Sequence, residues 1–202
     1  MKILIVGASG IIGSALKEAL TEKHEVIAAT FKSAGDVKVD IQNKQSIEKM
    51  FETIGPVDAI VSTAGFGSLK PIDQLDDADF DLVWKDKVMG QINLLRVGRH
   101  YLNKGGSVTL TTGLAANQPM PGTGTISLAC AGLEGFMRAA ALEISDLRVN
   151  CVSPAMVKET MVLFGFEGDH GISAADTAKA YVAAIEGDMS GQVLETTAFA
   201  EI

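Results

Sequence analysis

The sequence predicts an α/β fold, in which a single Rossmann-like, doubly wound parallel sheet of about seven strands carries helices on both faces. Two observations support this prediction. Short apolar runs alternate with longer segments of helical periodicity, and the chain opens on an apolar strand that leads into a glycine turn and a helix. Strands separated by helices pair in parallel through right-handed crossovers, and ligands of such sheets bind beyond the carboxyl ends of the strands.

The amino-terminal segment predicts a phosphate-binding turn. The strand Lys2 to Val6 leads into residues 7–13, which read GASGIIG, and an apolar helix continues through Leu20. This order brings main-chain N–H groups and the positive end of a helix dipole to a pyrophosphate. The alternative is that a tight strand-to-helix turn requires glycine without binding anything. The candidate phosphate-binding residues are Gly7, Ser9, Gly10, Ile11, Ile12 and Gly13.

The alternation of strands and helices continues along the rest of the chain. Further strands are predicted at Glu25 to Ala29, Val37 to Val39, Val57 to Ser62, Ser107 to Thr111, Arg148 to Val152 and Gln192 to Thr196. Helices are predicted at Gln45 to Ile54, Asp79 to Leu102, Ile126 to Ile144 and Ala174 to Glu186. The fourth strand is almost entirely apolar, as expected when helices cover both faces of a sheet.

Length and composition indicate a single domain over residues 1–202. They also limit the kinds of molecule that we expect the protein to bind. The net charge of −8 argues against nucleic acid or an anionic membrane as a partner. An apolar run of about 18 residues and a signal-type segment are both absent, so we expect a cytoplasmic protein. The two cysteines and three scattered histidines predict reduced thiols and no metal site.

Five features in order resemble the short-chain dehydrogenase/reductase superfamily over essentially the whole chain. They are the amino-terminal glycines, Asp40 after the third strand, Ser62-Thr63-Ala64-Gly65 after the fourth, and the pair ACAGLEGFMRAAALE (129–143) and RVNCVSP (148–154). The resemblance implies a nicotinamide dinucleotide cofactor. It also implies that the helix over 129–143 is the one on which the family carries a catalytic Tyr and Lys, four residues apart.

The catalytic helix departs from the family pattern. Aligning it on that pattern puts Ile126 in the tyrosine position and Cys130 in the lysine position. An alkyl group has no proton to transfer, and a thiol is too short and uncharged to anchor ribose. A shift of register does not restore the pair, because the tyrosines of this chain, Tyr101 and Tyr181, are followed four residues on by glycine and isoleucine.

The other catalytic positions are also altered. The family's serine falls near Gly113, its asparagine on Lys87, and its Pro-Gly turn has become Pro154-Ala155. Lys87 could act as the acid or bind an anionic substrate in a partly desolvated pocket, or it could be a solvated surface lysine. Thr112 could contact the substrate or simply cap a loop. We interpret Cys130 as a small buried hydrophobe rather than a nucleophile.

The residues at the end of the second strand indicate whether the protein prefers NADP or NAD, because an acidic residue there would favour NAD. Residues 29–33 read ATFKS, with no acid, two hydroxyls and a lysine, so NADP is favoured and NAD remains possible. Asp40 and Ile41 match the family's adenine contacts, although Asp40 could instead serve a turn or a helix start. The remaining candidate cofactor contacts are Thr30, Lys32, Ser33, Thr63, Ala64, Gly65 and Pro154.

Two functions of different class follow. The first is an NADP-dependent oxidoreductase with a non-standard active site, and the second is a catalytically inactive dinucleotide-binding sensor or regulatory protein. The substrate of the first would be a small molecule, rimmed by Phe66 to Leu69, Gln118 to Gly124 and Val162 to His170. The resemblance, with the wide apolar perimeter of the helix from Ile126, implies a homodimer or homotetramer.

Overall fold

The computed structural model describes residues 1–200, and within them seven parallel strands form one sheet. The strands are β1 (Lys2–Val6), β2 (Glu25–Thr30), β3 (Val37–Lys38), β4 (Val57–Ser62), β5 (Leu102–Thr111), β6 (Arg148–Ser153) and β7 (Val193–Glu195). Their order is β3-β2-β1-β4-β5-β6-β7. The chain reverses its direction of winding between β1 and β4, which pair side by side. A crevice therefore opens beyond the carboxyl ends of these two strands.

Helices cover both faces of the sheet, which confirms the predicted architecture. They are α1 (Ile11–Thr21), α2 (Lys44–Ile54), α3 (Asp77–Val83), α4 (Gln91–Gly98), α5 (Gly124–Glu143), α6 (Lys158–Leu163) and α7 (Ala174–Glu186). The apolar faces of α1 and α7 share one core with β1 and β4. The opposite core joins α2, α4 and α5 to the other side of the sheet.

The prediction of one helix from Asp79 to Leu102 is wrong. After α3, residues Trp84–Gly90 form a π-helical segment, and α4 then ends at Gly98. Leu102 opens β5 instead, because the sheet pairs it with Val57 and the amide of Val57 donates to the carbonyl of Tyr101 at 2.9 Å. Apolar periodicity alone indicated neither the wider helical turns of residues 84–90 nor the start of β5 at Leu102.

The carboxyl-terminal half contains one helix that the sequence did not predict and one that is unusually apolar. The unpredicted helix is α6, which is only six residues long and overlaps the expected substrate loop, Val162 to His170, only in its last two residues. The apolar helix is α5, with a mean hydropathy of 1.2, which by length and composition is enough to cross a membrane. Its buried residues, such as Leu133 and Met137, belong to the core beneath the sheet, as in a core helix.

Candidate nucleotide and reaction site

A cleft of about 320 Å³ lies at the switch point of the sheet. Eight of the predicted cofactor residues line it, namely Gly7, Ser9, Gly10, Asp40, Ile41, Thr63, Ala64 and Gly65. They come from three separate stretches of sequence that meet at the carboxyl edge of the sheet. The structure therefore brings together the larger part of the predicted nucleotide site.

The glycine turn is held in one conformation by main-chain bonds. Gly7 has a φ of +89°, and its amide donates to the carbonyl of Ala29 at 3.0 Å. The amide of Gly10 then donates back to the carbonyl of Gly7 at 2.9 Å. A Cβ on Gly13 would lie 2.2 Å from that same carbonyl oxygen, so α1 approaches the turn too closely for any side chain. Gly7 and Gly13 are thus required by the backbone itself.

Thr63, which directly follows the neighbouring strand β4, holds the glycine turn in place. Its hydroxyl lies 3.1 Å from the carbonyl oxygen of Val6 and 3.2 Å from that of Gly7, and it donates to this pair. The hydroxyl of this candidate cofactor contact is therefore engaged with the protein backbone. Thr63 still lines the cleft, where its contribution is to fix the position of the glycine turn.

The amino-terminal end of α1 is open to an anion. Gly10 is the N-cap residue, and no side chain caps this end of the helix. Ile11 and Ile12 form the first turn, where a helix has N–H groups without intrahelical partners. The side chain of Ile12 packs against the core, so this residue can serve a ligand only through its backbone. A pyrophosphate is the kind of group that such a helix end binds.

Asp40 makes a turn contact and also lines the cleft. One carboxylate oxygen accepts from the amide of Gln42 at 3.0 Å, which is the turn contact that we gave as the alternative. The residue also lines the cleft together with Ile41, so it is placed for the adenine contact too. It does not start the following helix, because the side chain of Asn43 caps α2.

The end of β2 differs from the prediction in detail. Phe31 lines the cleft, whereas Thr30, Lys32 and Ser33 do not. The hydroxyl of buried Thr30 donates to the carbonyl of Ser33 at 2.6 Å, and the ammonium of Lys32 lies 5.4 Å from the ring centre of Phe31. These three residues shape the loop beside the cleft rather than its wall.

Lys38 is a basic residue at this end of the cleft that sequence analysis missed. It pairs with Thr30 in the register of β2 and β3. Its ammonium lies 3.4 Å from the hydroxyl of Thr30 and donates to the carbonyl of Lys32 at 3.2 Å and to that of Ser33. No carboxylate within residues 1–200 lies at ion-pair distance from it. The signal that could have found it is the strand register, which a single sequence does not supply.

Asp86 lines the cleft, and the sequence did not indicate it. One of its carboxylate oxygens accepts from the amide of Phe66 at 2.6 Å, and the other accepts from the side-chain amide of Gln42 at 2.9 Å. It thereby joins the loop after β3 to the loop after β4 across the mouth of the cleft. In the sequence it stood in a charged run, which is more typical of a solvated helix face.

Lys87 is buried, so the interpretation of it as a solvated lysine is wrong. The π-helical segment turns its side chain inward, and its ammonium donates to the carbonyls of Thr111 at 3.4 Å and Thr112 at 3.3 Å. Its stem passes beside the cleft, because a Cβ on Gly65 would lie 3.2 Å from its Cγ. Such single π-helical turns are frequently found at functional sites. The structure therefore places a buried cation at the Gly65 end of the cleft, which we call the reaction end because the family resemblance implies that the nicotinamide lies there.

The hydroxyl of Thr112 points into the protein. It lies 3.1 Å from the carbonyl oxygen of Cys130 and 3.1 Å from a carboxylate oxygen of Glu134. Glu134 is itself buried, and its other oxygen accepts from Arg138 at 3.1 Å. Thr112 thus joins two buried charges, since its carbonyl accepts from Lys87 and its hydroxyl contacts Glu134. The sequence did not indicate this contact between Thr112 and Glu134, because in the sequence Glu134 is a single charged residue within an apolar helix.

Ile126 and Cys130, which the resemblance assigns to the family's tyrosine and lysine positions, both face the protein interior. Ile126 is partly buried against Gly67, on which a Cβ would lie 2.8 Å from the isoleucine Cγ1. Cys130 is fully buried, and burial raises the pKa of its thiol. A Cβ on Gly113, at the serine position, would lie 3.3 Å from the sulfur. Pro154 closes this end of the sheet, with its carbonyl accepting from Leu114 at 3.1 Å.

Both tyrosines lie away from the cleft. Tyr181 is completely buried in α7, its hydroxyl lies 2.7 Å from that of Thr111, and burial raises its pKa well above the usual range. Tyr101 stacks on Phe51 with ring centres 5.2 Å apart. Across the part of the chain that the structure describes, no group of three or more His, Cys, Asp or Glu side chains is arranged to hold a metal ion.

Comparison with known proteins places this geometry in a family. The family model described as enoyl-(acyl carrier protein) reductase matches residues 7–189. Hydroxynaphthalene reductase arp2 of Aspergillus fumigatus is 29% identical over 146 residues, which are 69% of this chain and 54% of that protein. An uncharacterized oxidoreductase of Schizosaccharomyces pombe is 29% identical over 174 residues, covering 77% and 66%. The chain therefore spans between about half and two thirds of the length of these curated relatives.

Solved structures match over nearly the whole chain. The protein lin1944 from Listeria innocua has a TM-score of 0.91 and 40% identity, with 96% of this chain and 98% of that chain covered. A small-chain dehydrogenase in complex with NADPH has a TM-score of 0.85 and 25% identity, covering 96% and 95%.

Proposed function

The chain belongs to the short-chain dehydrogenase/reductase superfamily, and we propose that it is an NADP-dependent oxidoreductase whose proton-transfer site differs from the family pattern. The observation that carries the proposal is the cleft at the switch point. Its glycine turn leaves no room for a side chain at Gly13 and leaves the end of α1 uncapped. The residues present therefore fit a dinucleotide pyrophosphate.

NADP is favoured over NAD by charge. Residues 29–33 contain no acid that would repel a 2′-phosphate, and the ammonium groups of Lys32 and Lys38 lie at this end of the cleft without carboxylate partners. A related small-chain dehydrogenase, 25% identical, was solved with NADPH. When bound, such a nucleotide supplies or accepts a hydride, and the protein orients it.

Lys87 is our candidate for handling the proton. Its side chain passes Gly65 of the cleft wall, and its ammonium is fixed by two main-chain carbonyls rather than by a carboxylate. An ammonium held at the reaction end can donate a hydrogen bond, or a proton, to an oxygen that gains negative charge. Ile126 and Cys130 cannot take this role, because one has no proton and the other is a buried thiol whose pKa is raised.

Thr112 acts in this proposal as a positioning residue. Its hydroxyl is engaged with Cys130 and Glu134, so contact with the substrate through that hydroxyl would require these bonds to be broken. Its carbonyl, in contrast, holds the ammonium of Lys87. A valine at this position would keep the carbonyl and lose the link to Glu134.

The test has two stages. NADPH and NADH are first titrated into the protein, and binding is followed by the change in nucleotide fluorescence. The holoprotein is then mixed with a panel of carbonyl compounds while nucleotide oxidation is recorded. We expect NADPH to bind more tightly than NADH, and Lys87→Met to lose turnover by about 100-fold or more while NADPH affinity changes little.

The matched control is Lys85→Met. Lys85 is two residues away, exposed, and paired with Asp81 at 2.6 Å, so its loss should leave turnover unchanged. If neither nucleotide binds, the proposed function is wrong. If turnover survives Lys87→Met, the oxidoreductase assignment stands and the role of Lys87 is lost.

A second candidate function is a dinucleotide-binding sensor without turnover. It is favoured by the same alterations, since both tyrosines lie away from the cleft and the hydroxyl of Thr112 is engaged within the protein. The two functions differ in one result. Tight NADPH binding with no oxidation by any member of the carbonyl panel would favour the sensor.

A further inference from the structure

A cavity of about 540 Å³ lies between α2 and the end of α4, apart from the nucleotide cleft. Its basic lining residues are Lys44 of α2, Arg96 of α4, Arg99 at the C-cap of that helix, and His100. The next residue, Tyr101, also lines the cavity and directly precedes β5. Because the strands of a parallel sheet all begin at one edge, the cavity lies towards the edge opposite the nucleotide cleft.

The positive charge of this cavity is not balanced. Of the lining residues only Glu48 is acidic, and it pairs with Lys44 at 3.1 Å. Among the residues that the structure describes, no carboxylate lies at ion-pair distance from Arg96 or Arg99. Asp146 lines a smaller adjoining cavity together with Arg99, and it too is outside that distance. The chain has 25 acidic residues against 17 lysines and arginines, so these guanidinium groups do not reflect a shortage of carboxylates.

Uncharged neighbours orient the two guanidinium groups. Nη1 of Arg96 donates to the side-chain oxygen of Asn93 at 3.2 Å, and Asn93 is itself buried. Nε of Arg99 donates to Nε2 of His100 at 3.3 Å. Arg99 has helical backbone angles, so it lies on the same helix face as Arg96, three residues earlier. Each guanidinium group uses one of its five N–H donors in these bonds, and the others remain for a ligand.

The position of the arginines at a helix end has an alternative explanation. The last carbonyl groups of a helix carry partial negative charge and attract cations without any ligand. This attraction explains a basic residue in the last turn of α4. It does not require that a cavity separate the arginines from α2, or that Lys44 of a different helix line the same cavity.

We infer that this cavity is a second anion site, which binds a small molecule that carries a phosphate group. Two guanidinium groups on one helix face can donate paired hydrogen bonds to phosphate oxygens. The cavity volume lies within the range of small-molecule sites, about 300 to 1,000 Å³. The inference is independent of the proposed oxidoreductase function.

Two further observations narrow the class of ligand. The net charge of −8 opposes a long polyanion or an anionic membrane, whose charges would extend beyond the cavity onto an acidic surface. Tyr101 and Val97 add apolar surface to the lining, and the ring of Tyr101 is held by stacking on Phe51 with ring centres 5.2 Å apart. A phosphate ester with a small apolar or planar body fits this combination.

The experiment uses phenyl phosphate as the probe. It is titrated into the full-length protein by calorimetry at low, fixed ionic strength, and NADP⁺ is titrated separately into the same preparations. We expect phenyl phosphate to bind with a dissociation constant below about 1 mM. Arg99→Gln should weaken this binding by about tenfold and leave NADP⁺ affinity unchanged, because it removes a phosphate-binding group that does not line the nucleotide cleft.

A second variant changes the affinity in the opposite direction. Glu48→Gln removes the acidic residue of the lining and releases Lys44, so it should strengthen phenyl phosphate binding by about threefold. The matched control is Lys49→Gln, which removes an exposed cation of α2 that does not line the cavity. It should change the affinity by less than about twofold.

The inference is overturned by any of three results. These are no binding of phenyl phosphate to the wild-type protein, an equal loss of affinity in Arg99→Gln and Lys49→Gln, and an unchanged affinity in Glu48→Gln. The second result would mean that phenyl phosphate responds only to the overall charge or binds elsewhere. Failure to bind NADP⁺ would overturn the proposed function and leave this inference standing.

Discussion

The two ends of the crevice are built on opposite principles. At the nucleotide end, the wall is main chain: Gly7 and Gly10 bond to backbone atoms, and α1 begins without a side-chain cap. Behind the reaction end, buried side chains bond to main-chain carbonyls and to one another. There the carbonyls of Thr111 and Thr112 hold two of the three N–H donors of Lys87, which leaves one for a ligand.

This difference predicts how each end responds to substitution. A wall made of main-chain atoms has no side chain that a substitution can remove. It is disrupted instead by an added side-chain atom, which pushes the strand and the helix apart. A wall of bonded side chains is damaged by removed atoms, because each deletion leaves a buried partner without its hydrogen bond. The nucleotide end should therefore be sensitive to size, and the reaction end to the loss of single polar groups.

The largest effect is expected for Gly13→Ala. The added Cβ would lie 2.2 Å from the carbonyl oxygen of Gly7 and 2.9 Å from the Cα of Ala8, so α1 must move away from the turn. We expect a loss of about 3 kcal/mol in the free energy of unfolding and a fall in NADPH affinity of about 100-fold. Urea unfolding and nucleotide titration measure the two effects.

The control for this variant is Gly132→Ala. Gly132 lies within α5, and a Cβ on it would have no neighbour within 4 Å. The substitution should stabilise the protein by about 0.5 to 1 kcal/mol, because alanine favours the helix. Normal nucleotide binding by Gly13→Ala would show that the close approach of α1 is not required at this end.

The next effect concerns the choice of nucleotide. Lys38→Met removes an ammonium that has no carboxylate partner and keeps most of the apolar stem. We expect NADPH affinity to fall about tenfold, equivalent to about 1.4 kcal/mol, while NADH affinity changes little. Fluorescence titration of both nucleotides measures the ratio. An equal loss for both nucleotides would mean that Lys38 acts only by holding the loop at Thr30.

The contrast between the two ends also explains what the sequence could predict. The nucleotide end could be predicted because the strand, the glycine turn and the helix are contiguous at residues 2–21. Each glycine of the turn is explained by the main-chain conformation or the close packing at its position. The parallel sheet follows from the alternation of strands and helices, whereas the cleft residues Asp40 and Ala64 were predicted from the family resemblance, at strand ends that meet at one edge.

The reaction end depends on contacts between distant residues. The inward turn of Lys87 needs a π-helical segment, which apolar periodicity cannot distinguish from an α-helix. The pairing of Thr112 with Glu134 joins a strand end to a helix across 22 residues of sequence. Lys38 was missed for the same reason, because its place beside Thr30 is set by strand register.

Tyr181→Phe tests whether the reaction end works without a tyrosine. The hydroxyl of Thr111 donates to the carbonyl of Ser62 at 2.5 Å, so Tyr181 is the donor in its 2.7 Å contact with Thr111. Removing that donor should lower the free energy of unfolding by about 1 kcal/mol and leave NADPH affinity and any turnover unchanged. Tyr101→Phe is the control and should change none of the three, because that ring is held by stacking on Phe51. Loss of turnover in a folded Tyr181→Phe protein would contradict the placement of this residue outside the chemistry.

The smallest effect is a pH dependence at the loop beside the reaction end. The ammonium of Lys70 and the hydroxyl of Ser68 hold the pKa of Asp79 at about 2, below its ordinary value. Because the folded-state pKa is lowered, the carboxylate stabilises the fold fully above the unfolded-state pKa of about 4, and this stabilisation is lost as the pH falls towards about 2. Asp79→Asn should therefore lower the melting temperature at pH 7, and its difference from wild type should shrink below about pH 4. Asp81→Asn removes an exposed carboxylate paired with Lys85 and should give a much smaller difference at every pH. A difference for Asp79→Asn that stayed constant from pH 7 to pH 3 would mean that the ionised carboxylate does not hold this loop.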